Sequence, residues 1–480
     1  MSEKPQKKTY WLHVAIVILL MFCFKYIPAP APITAYGMNI LGIFIGLVYG
    51  WSLCELAWPS VLALVALGMS DFGITEEVFT SVFGQANLTL MIFGFMVFAS
   101  LSASGLTEYL GNKLLSIRFM RGRPLLMIAT IYFGTFVVCL TGINGYLMMF
   151  FMMSIFVDLF KNLGYQKGDR FIPMFLCGIF IQTSFGHLFF PFMPMPIMVY
   201  GAAGLKIDTI SYMLFAFVFI VCLDLVFILC FKLLRFNLKP LQNLDYSSLE
   251  AKAKQPLSAY QKALLFVILL FITLMIIVGI FASAEGNAFQ QILNKLGVYG
   301  VIALVLAILL VGRVDQKPLL SMETLTTGVN WNIVLLYAMA LTMSNVLTSK
   351  ETGISTFVVA ITSPILATLS EYWFLLLLGA ITLLLTNVGN NVVVIFTMVT
   401  VVKMMLEAGL PINGPLAVGV VLFSGLSTGY LLPSASVSAS LIYGCDMTTP
   451  RSSVMQGVTI MVLWMVMLAV VMIPAGLLFF

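Results

Sequence analysis

Charged residues are what this chain has least of: Asp, Glu, Lys and Arg supply 9% of its 480 residues, against about a quarter in soluble domains. That scarcity excludes an ordinary water-soluble fold. Histidine occurs twice, and the seven cysteines stand singly, with neither a Cys-x-x-Cys pair nor a cysteine–histidine cluster. A disulfide framework and a structural metal centre are therefore not expected. Asp224 is the single carboxylate deep in an apolar run, so no cluster of acids, bases or metal ligands exists from which to build an intramembrane enzyme. No cofactor motif is present. The net charge of +5 is expected to reflect membrane topology rather than a nucleic-acid partner.

Apolar sequence, by contrast, is abundant. With 61% hydrophobic residues and a mean hydropathy of +1.08, the chain reads as an all-α integral membrane protein, because a helix satisfies its own backbone in lipid. At about 20 residues per crossing it holds on the order of a dozen spans and leaves little for a soluble domain. The runs predict spans at 10–27, 33–51, 55–70, 87–106, 170–202, 208–235, 260–283, 297–312, 330–348, 415–445 and 453–480. The first follows the basic EKPQKK and lacks a small-residue cleavage site, so residues 1–32 are expected to keep an N-terminal helix rather than lose a signal peptide. Two further runs, 124–160 and 371–406, are cut at their centres by TGING (141–145) and TNVGN (386–390). Arms of roughly 15 residues are short for a crossing, and both runs are expected to be re-entrant hairpins.

Eleven spans with a cytoplasmic N-terminus put all but five of the 24 lysines and arginines inside, the exceptions being Lys25, Lys206, Lys295, Lys350 and Lys403. This bias predicts a multi-pass protein of the plasma or inner membrane with its C-terminus outside. The basic, amphipathic segment TEYLGNKLLSIRFMRGR at 107–123 suits an interfacial helix on the cytoplasmic face. The 30 methionines and 39 phenylalanines are expected to pack the core and face lipid.

A pattern recurs along the chain. TSFGHLFFPFMPMPIMVYG at 183–201 parallels STGYLLPSASVSASLIYG at 427–444. Pro191 and Pro433 are 242 residues apart, and Thr141 and Thr386 are 245 apart. Hairpin followed by broken helix thus occurs twice in one order, which is an internal duplication. The first hairpin enters from the cytoplasm and the second from outside, so the copies are expected to be inverted repeats. The first repeat covers 33–236 (hairpin 124–160, broken helix 170–202) and the second 259–480 (hairpin 371–406, broken helix 415–445), joined by a cytoplasmic linker at 237–258.

This layout resembles the divalent anion:sodium symporters of the ion transporter superfamily, which place Ser-Asn-Thr at each hairpin tip and a Thr-Pro-containing turn in each partner helix. At the second tip Thr386, Asn387 and Val388 stand in that motif, followed by Asn390 and Asn391. At the first tip Thr141, Gly142 and Ile143 occupy it, with Asn144 just beyond. Pro191, Pro194 and Pro196 keep the proline character of the first partner turn, and Ser434, Ser436 and Ser438 lie in the second.

The resemblance implies a secondary active transporter of a small organic anion, a di- or tricarboxylate, coupled to sodium. It also implies a homodimer working by an elevator motion. Sodium is then expected near Thr141, Asn144, Thr386, Asn387, Asn390, Asn391 and Ser434, since hard cations take oxygen ligands and unwound carbonyls supply them. The anion is expected near Thr141, Gly142, Asn144, Thr183, Ser184, His187, Thr386, Asn387, Ser436 and Ser438, where amides, hydroxyls and half-helix N-termini favour negative charge. An arginine is not required.

Competing readings exist at single positions. Thr141, Ser184, Ser427 and Ser436 are also the small polar residues that pack helices and bridge broken backbone in membranes. His187 is equally readable as a satisfied packing histidine or as a group that protonates during transport. Asp224 invites a proton relay but lies outside both broken helices. The missing asparagine at the first tip, with His187 and Asp224, keeps a proton-coupled carrier or an anion exchanger as the alternative. A cation/proton antiporter would more usually place carboxylates at the broken helices, and neither tip carries one.

Overall fold

A computed structural model describes residues 7–115, 122–142, 145–243, 256–281, 287–354, 356–358, 360, 364, 369–388, 390–432 and 435–480. Its helices are α1 (Lys7–Cys23), α2 (Ala35–Leu53), α3 (Ala57–Gly68), α4 (Thr75–Phe83), α5 (Ala86–Ala103), α6 (Leu106–Leu115), α7 (Pro124–Cys139) and α8 (Gly145–Asn162). There follow α9 (Phe171–Leu188), α10 (Pro194–Ala202), α11 (Thr209–Leu233), α12 (Ala259–Phe281), α13 (Ala288–Val311), α14 (Met322–Thr327) and α15 (Trp331–Thr348). The rest are α16 (Glu371–Val388), α17 (Asn391–Glu407), α18 (Gly414–Ser427), α19 (Val437–Tyr443), α20 (Pro450–Met467) and α21 (Ile473–Phe479), the last two joined by a π turn. Among the described residues the one ribbon pairs Arg313–Val314 with Lys317–Pro318.

Helix ends follow local chemistry. Thr34, Asp208 and Asn330 accept hydrogen bonds from the first-turn N–H groups of α2, α11 and α15, and Pro occupies the first turn of α7 and α20, where its missing N–H is harmless. Within helices most hydroxyls bond to the carbonyl one turn back, as Thr382 does to Leu378 and Thr400 to Phe396, which lets a polar residue sit in an apolar helix.

Among the described residues, seven helical stretches are both long and apolar enough to cross a bilayer: α2, α9, α11, α12, α13, α15 and the continuous Pro450–Phe479. The predicted spans at 10–27, 55–70 and 415–445 contain shorter apolar helices. The span expected from 297 is the second part of α13, because Gly297 takes φ 53° and breaks the helix after an amphipathic first segment.

Lipid-facing and core faces separate along α11. Leu214, Phe217, Val221, Leu225 and Leu229 are exposed, whereas Phe215, Phe219, Leu223, Phe227 and Phe231 are buried. Both stripes are apolar at helical spacing, as a helix between lipid and protein requires. In α9, 89% of the span is buried against 33% in α12, so α9 is a core helix.

Two compact units make up the chain: residues 1–91, 198–206 and 330–425, and residues 92–197, 207–329 and 426–480. Each draws on both predicted repeats, and the chain passes between units within α5 and α10. In the first unit, Gly42, Gly46 and Gly50 form one small stripe on α2. A Cβ at Gly42 would fall 2.4 Å from Phe24 Cβ and one at Gly46 2.6 Å from Met21 Cγ, so α1 lies directly on α2. In the second unit an aromatic cluster joins α7, α8, α9 and α11. Phe156 lies 4.7 Å edge-on from Phe175, Tyr165 stacks on Phe171 at 5.0 Å, and Tyr132 donates to the Phe175 carbonyl oxygen at 3.1 Å.

The interfacial segment expected at 107–123 is helical to Leu115, and 116–121 lie outside the described residues. So does most of the linker, 244–255. At the C-terminal end of α8, Lys161 bonds to Asp446 at 3.0 Å, and its ammonium holds that exposed carboxyl below the usual carboxylate range.

Candidate functional site

In the second unit, α7 and α8 form the first hairpin. Its tip begins with two tight turns: Thr141 Oγ donates to Val138 O at 2.7 Å, and Gly142 N–H donates to Cys139 O at 3.0 Å. Gly142 has φ +81°, and a Cβ there would lie 2.0 Å from Phe98 Cε1. Only glycine satisfies both the backbone and the space. Ile143 and Asn144 lie outside the described residues.

The next helix starts at Gly145, and His187 sits against it: a Cβ on Gly145 would be 3.1 Å from His187 Cε1 and 3.7 Å from Thr183 Cβ. His187 Nδ1 is 2.7 Å from Thr183 O. A carbonyl only accepts, so Nδ1 carries the hydrogen and the neutral ring keeps its lone pair on Nε2. Thr183 and Ser184 both donate back to Phe180 O, at 2.8 and 3.2 Å. Their hydroxyl hydrogens are occupied within α9, and their oxygens remain acceptors.

The first broken helix is α9 and α10, interrupted at 189–193 with Pro191 buried in the gap and Pro194 and Pro196 in the first turn of α10. Tyr212 of α11 donates to the carbonyl of Leu188, the last residue of α9, at 2.5 Å. A carbonyl freed by the break thus finds a donor from a neighbouring helix. The second broken helix is α18 and α19. Ser436 caps α19, accepting from Ala439 N–H at 3.0 Å and donating to Gly429 O at 2.6 Å. Ser438 is buried and donates to Met149 Sδ at 3.3 Å, which brings the start of α19 to the hairpin arm one turn past Gly145. Ser434 lies outside the described residues.

Asp224 does face a broken helix. Gln182 Nε2 donates to its Oδ1, and Gln182 stands on α9 five residues before His187.

In the first unit, α16 and α17 form the second hairpin. Thr386 is buried and donates to Gly425 O of α18 at 2.9 Å. Asn387 is buried and donates to Leu383 O at 2.8 Å. Asn390 accepts from Val392 and Val393 N–H at 3.0 and 3.4 Å, and Asn391 Oδ1 accepts from Val392 N–H at 2.9 Å. The first turn of α17 is therefore capped by the two asparagines that follow the break.

Lys403, expected on the outer side of the membrane, is instead buried on α17. Its Nζ donates to Asn345 Oδ1 of α15 at 2.5 Å and lies 3.7 Å from Glu407. A lone lysine in the apolar arm VVVIFTMVTVVKMM, with Glu407 one turn on, was the available signal. For Gln182 the available signal was of the same kind, a lone amide inside GIFIQTSFGH.

No group of three or more metal-ligating side chains occurs among the described residues. The polar groups gathered at the hairpin tips are oxygens, amides and one imidazole. Such a set suits anions, water and monovalent cations.

A model of the citrate transporter family, CitMHS, matches residues 3–425. The chain belongs to the citrate transporter family. No curated protein matches this family member closely. Two solved transporters share its fold. MtrF of Neisseria gonorrhoeae, described with a class of antimetabolite efflux pumps, superposes with a TM-score of 0.59 at 12% identity, covering 98% of this chain and 95% of that one. The YdaH transporter of Alcanivorax borkumensis, described as having an unusual topology, gives 0.50 at 14% identity over 82% and 88%. This citrate transporter family member is accordingly an all-α, multi-pass membrane transporter rather than an enzyme, and it handles a small-molecule substrate.

Proposed function

We propose that the protein is a secondary active transporter of a small organic anion of the di- or tricarboxylate type, coupled to sodium. One observation carries the anion assignment: the N-terminus of α8 opens directly onto His187 and Thr183. The N-terminus of an 18-residue helix carries a partial positive charge there, and the imidazole beside it gains an Nε2 donor for an anion when it is protonated. Membership of the citrate transporter family supports citrate and its relatives as the substrate.

In this reading Thr141, Gly142, Thr183, Ser184, His187, Ser436 and Ser438 contribute to the anion site from the second unit, with Asn144. Thr386 and Asn387 are the anion-site residues proposed in the first unit, taken by itself. Sodium is held near Thr141 and Asn144 at one tip and near Thr386, Asn387, Asn390 and Asn391 at the other, with Ser434. The finer likeness to divalent anion:sodium symporters extends the proposal to an elevator motion within a homodimer of the plasma or inner membrane. Asn391 Oδ1 accepts one hydrogen bond in its cap, and its second lone pair suits a cation.

A second reading has its own observation. Asp224 is tied to α9 through Gln182, five residues from His187, which favours a proton as the coupling ion or an exchange of anions.

Uptake of labelled citrate into proteoliposomes under an inward sodium gradient, compared with choline, tests the proposal. Asn387→Ala is expected to reduce sodium-driven uptake by tenfold or more, on the order of one lost ligand to a charged group, with insertion and melting temperature retained. Full uptake by that variant would remove the proposed second-tip site.

A further inference from the structure

Among buried polar side chains, Gln456 on α20 is unusual. It is 0% exposed, and neither its Nε2 nor its Oε1 has a partner among the described residues. A buried carboxamide left unpaired at both ends is costly, so it ordinarily marks a group that binds something else. Ser453, three residues earlier and on the same helical face, is also buried, and its Oγ also lacks a partner. Most helical hydroxyls of this protein bond one turn back, as Thr183 and Ser440 do; Ser453 does not.

The surroundings are equally specific. At Gly457 a Cβ would lie 2.9 Å from both the Tyr430 carbonyl oxygen and Leu431 Cα. The unwound chain between α18 and α19 therefore touches α20 backbone to backbone, with the Tyr430 carbonyl turned toward it. Ser427, where α18 ends, is a further buried hydroxyl without a partner among the described residues. The helix α9 runs alongside and parallel. Gly168 N–H donates to Met447 O near the start of both helices, and Phe185 meets Trp464 further along at 6.2 Å.

We propose that Gln456, Ser453 and the Tyr430 carbonyl form a monovalent-cation site, with sodium as its natural occupant. Complete burial of both side chains restricts the ligand to the size of an ion. The donors are an amide oxygen, a hydroxyl and an unwound carbonyl, the oxygens a hard cation takes. Neither α20 nor residues 427–432 contain a carboxylate, which fits one positive charge better than two. The site lies about 9 Å along α20 from its N-cap Thr449, at 1.5 Å per residue, and shares no residue with the hairpin-tip sites.

The test is thermal unfolding of the purified full-length protein without organic anion, titrated with sodium chloride against choline chloride, alongside the fluorescence of Trp464. Wild type is expected to gain stability with sodium by mass action. Gln456→Leu should need at least about tenfold more sodium for half the effect, the loss of one ligand to a charged group, while melting no lower in choline. Gln456→Glu should need about tenfold less. Asn387→Ala, which removes a proposed ligand of the second-tip sodium, should keep the component of the response that Gln456→Leu shifts, so failure of one site is distinguishable from failure of the other. No sodium response in wild type, or an unchanged one in Gln456→Leu, would overturn the proposal and leave these groups binding only water. If Gln456→Leu does not fold, Ser453→Ala decides by the same criterion.

Discussion

His187 stands where a helix end, a hairpin tip and a backbone carbonyl meet, so its proton is held at Nδ1 by Thr183 O. Asp224 accepts a hydrogen bond from Gln182, and an ionisable side chain at such depth marks a candidate proton relay. If protons are coupled to transport, His187→Gln or Asp224→Asn is expected to flatten the pH dependence of citrate uptake between about pH 5 and 8, where an ordinary histidine titrates. Uptake measured across that range in both variants checks this. Unchanged profiles in both would leave sodium as the coupling ion. At this scale the sequence showed its Gly-bearing interruptions clearly. Thr386, Asn387, Asn390 and Asn391 do line one helix break, bonded to the freed backbone around it. Lys403, Gln182 and Gln456 escaped because a single polar residue in an apolar run has no periodicity to reveal which way it faces. Only packing decides whether it meets lipid, protein or a partner.

Helix interruptions are stabilised by specific donors on neighbouring elements. The Leu188 carbonyl has Tyr212 from α11, and the Leu431 carbonyl has Tyr443 from α19 at 2.6 Å. Each broken helix thus has a buried or half-buried tyrosine as its clamp. Tyr212→Phe is expected to lower stability by about 1–3 kcal/mol, because the aromatic packing survives while a buried acceptor loses its donor. Urea unfolding monitored by circular dichroism in detergent measures it. A loss below about 0.5 kcal/mol would mean that the break is satisfied in another way. Both breaks were readable in advance, since Pro191, Pro194 and a serine-rich stretch around Ser436 cannot continue a helix cheaply. The short α4, α14 and the Arg313–Pro318 ribbon were not foreseen. They are too brief to carry a hydrophobic period, and their caps, such as Ser321 for α14, act only locally.

For the whole molecule, the distribution of lysine and arginine remains the strongest predictor of orientation, while packing overrides it at one place. Lys403 entered the tally as an outside residue, yet its ammonium is held by Asn345 and Glu407 and therefore reports nothing about a membrane surface. Removing it from the count leaves Lys25, Lys206, Lys295 and Lys350 as the outside set, which sharpens the positive-inside bias. The division into two units that each mix residues from both halves was invisible in the chain, because it depends on contacts between segments hundreds of residues apart. Orientation, however, makes a direct prediction. With Cys23 and Cys54 replaced by serine, a cysteine at exposed Lys206 is expected to react with an impermeant maleimide on intact cells, and one at exposed Lys167 only after permeabilisation. The reverse pattern would place the N-terminus outside and invert both hairpins. The α8 N-terminus beside His187 would then open toward the opposite compartment from the one the charge bias implies.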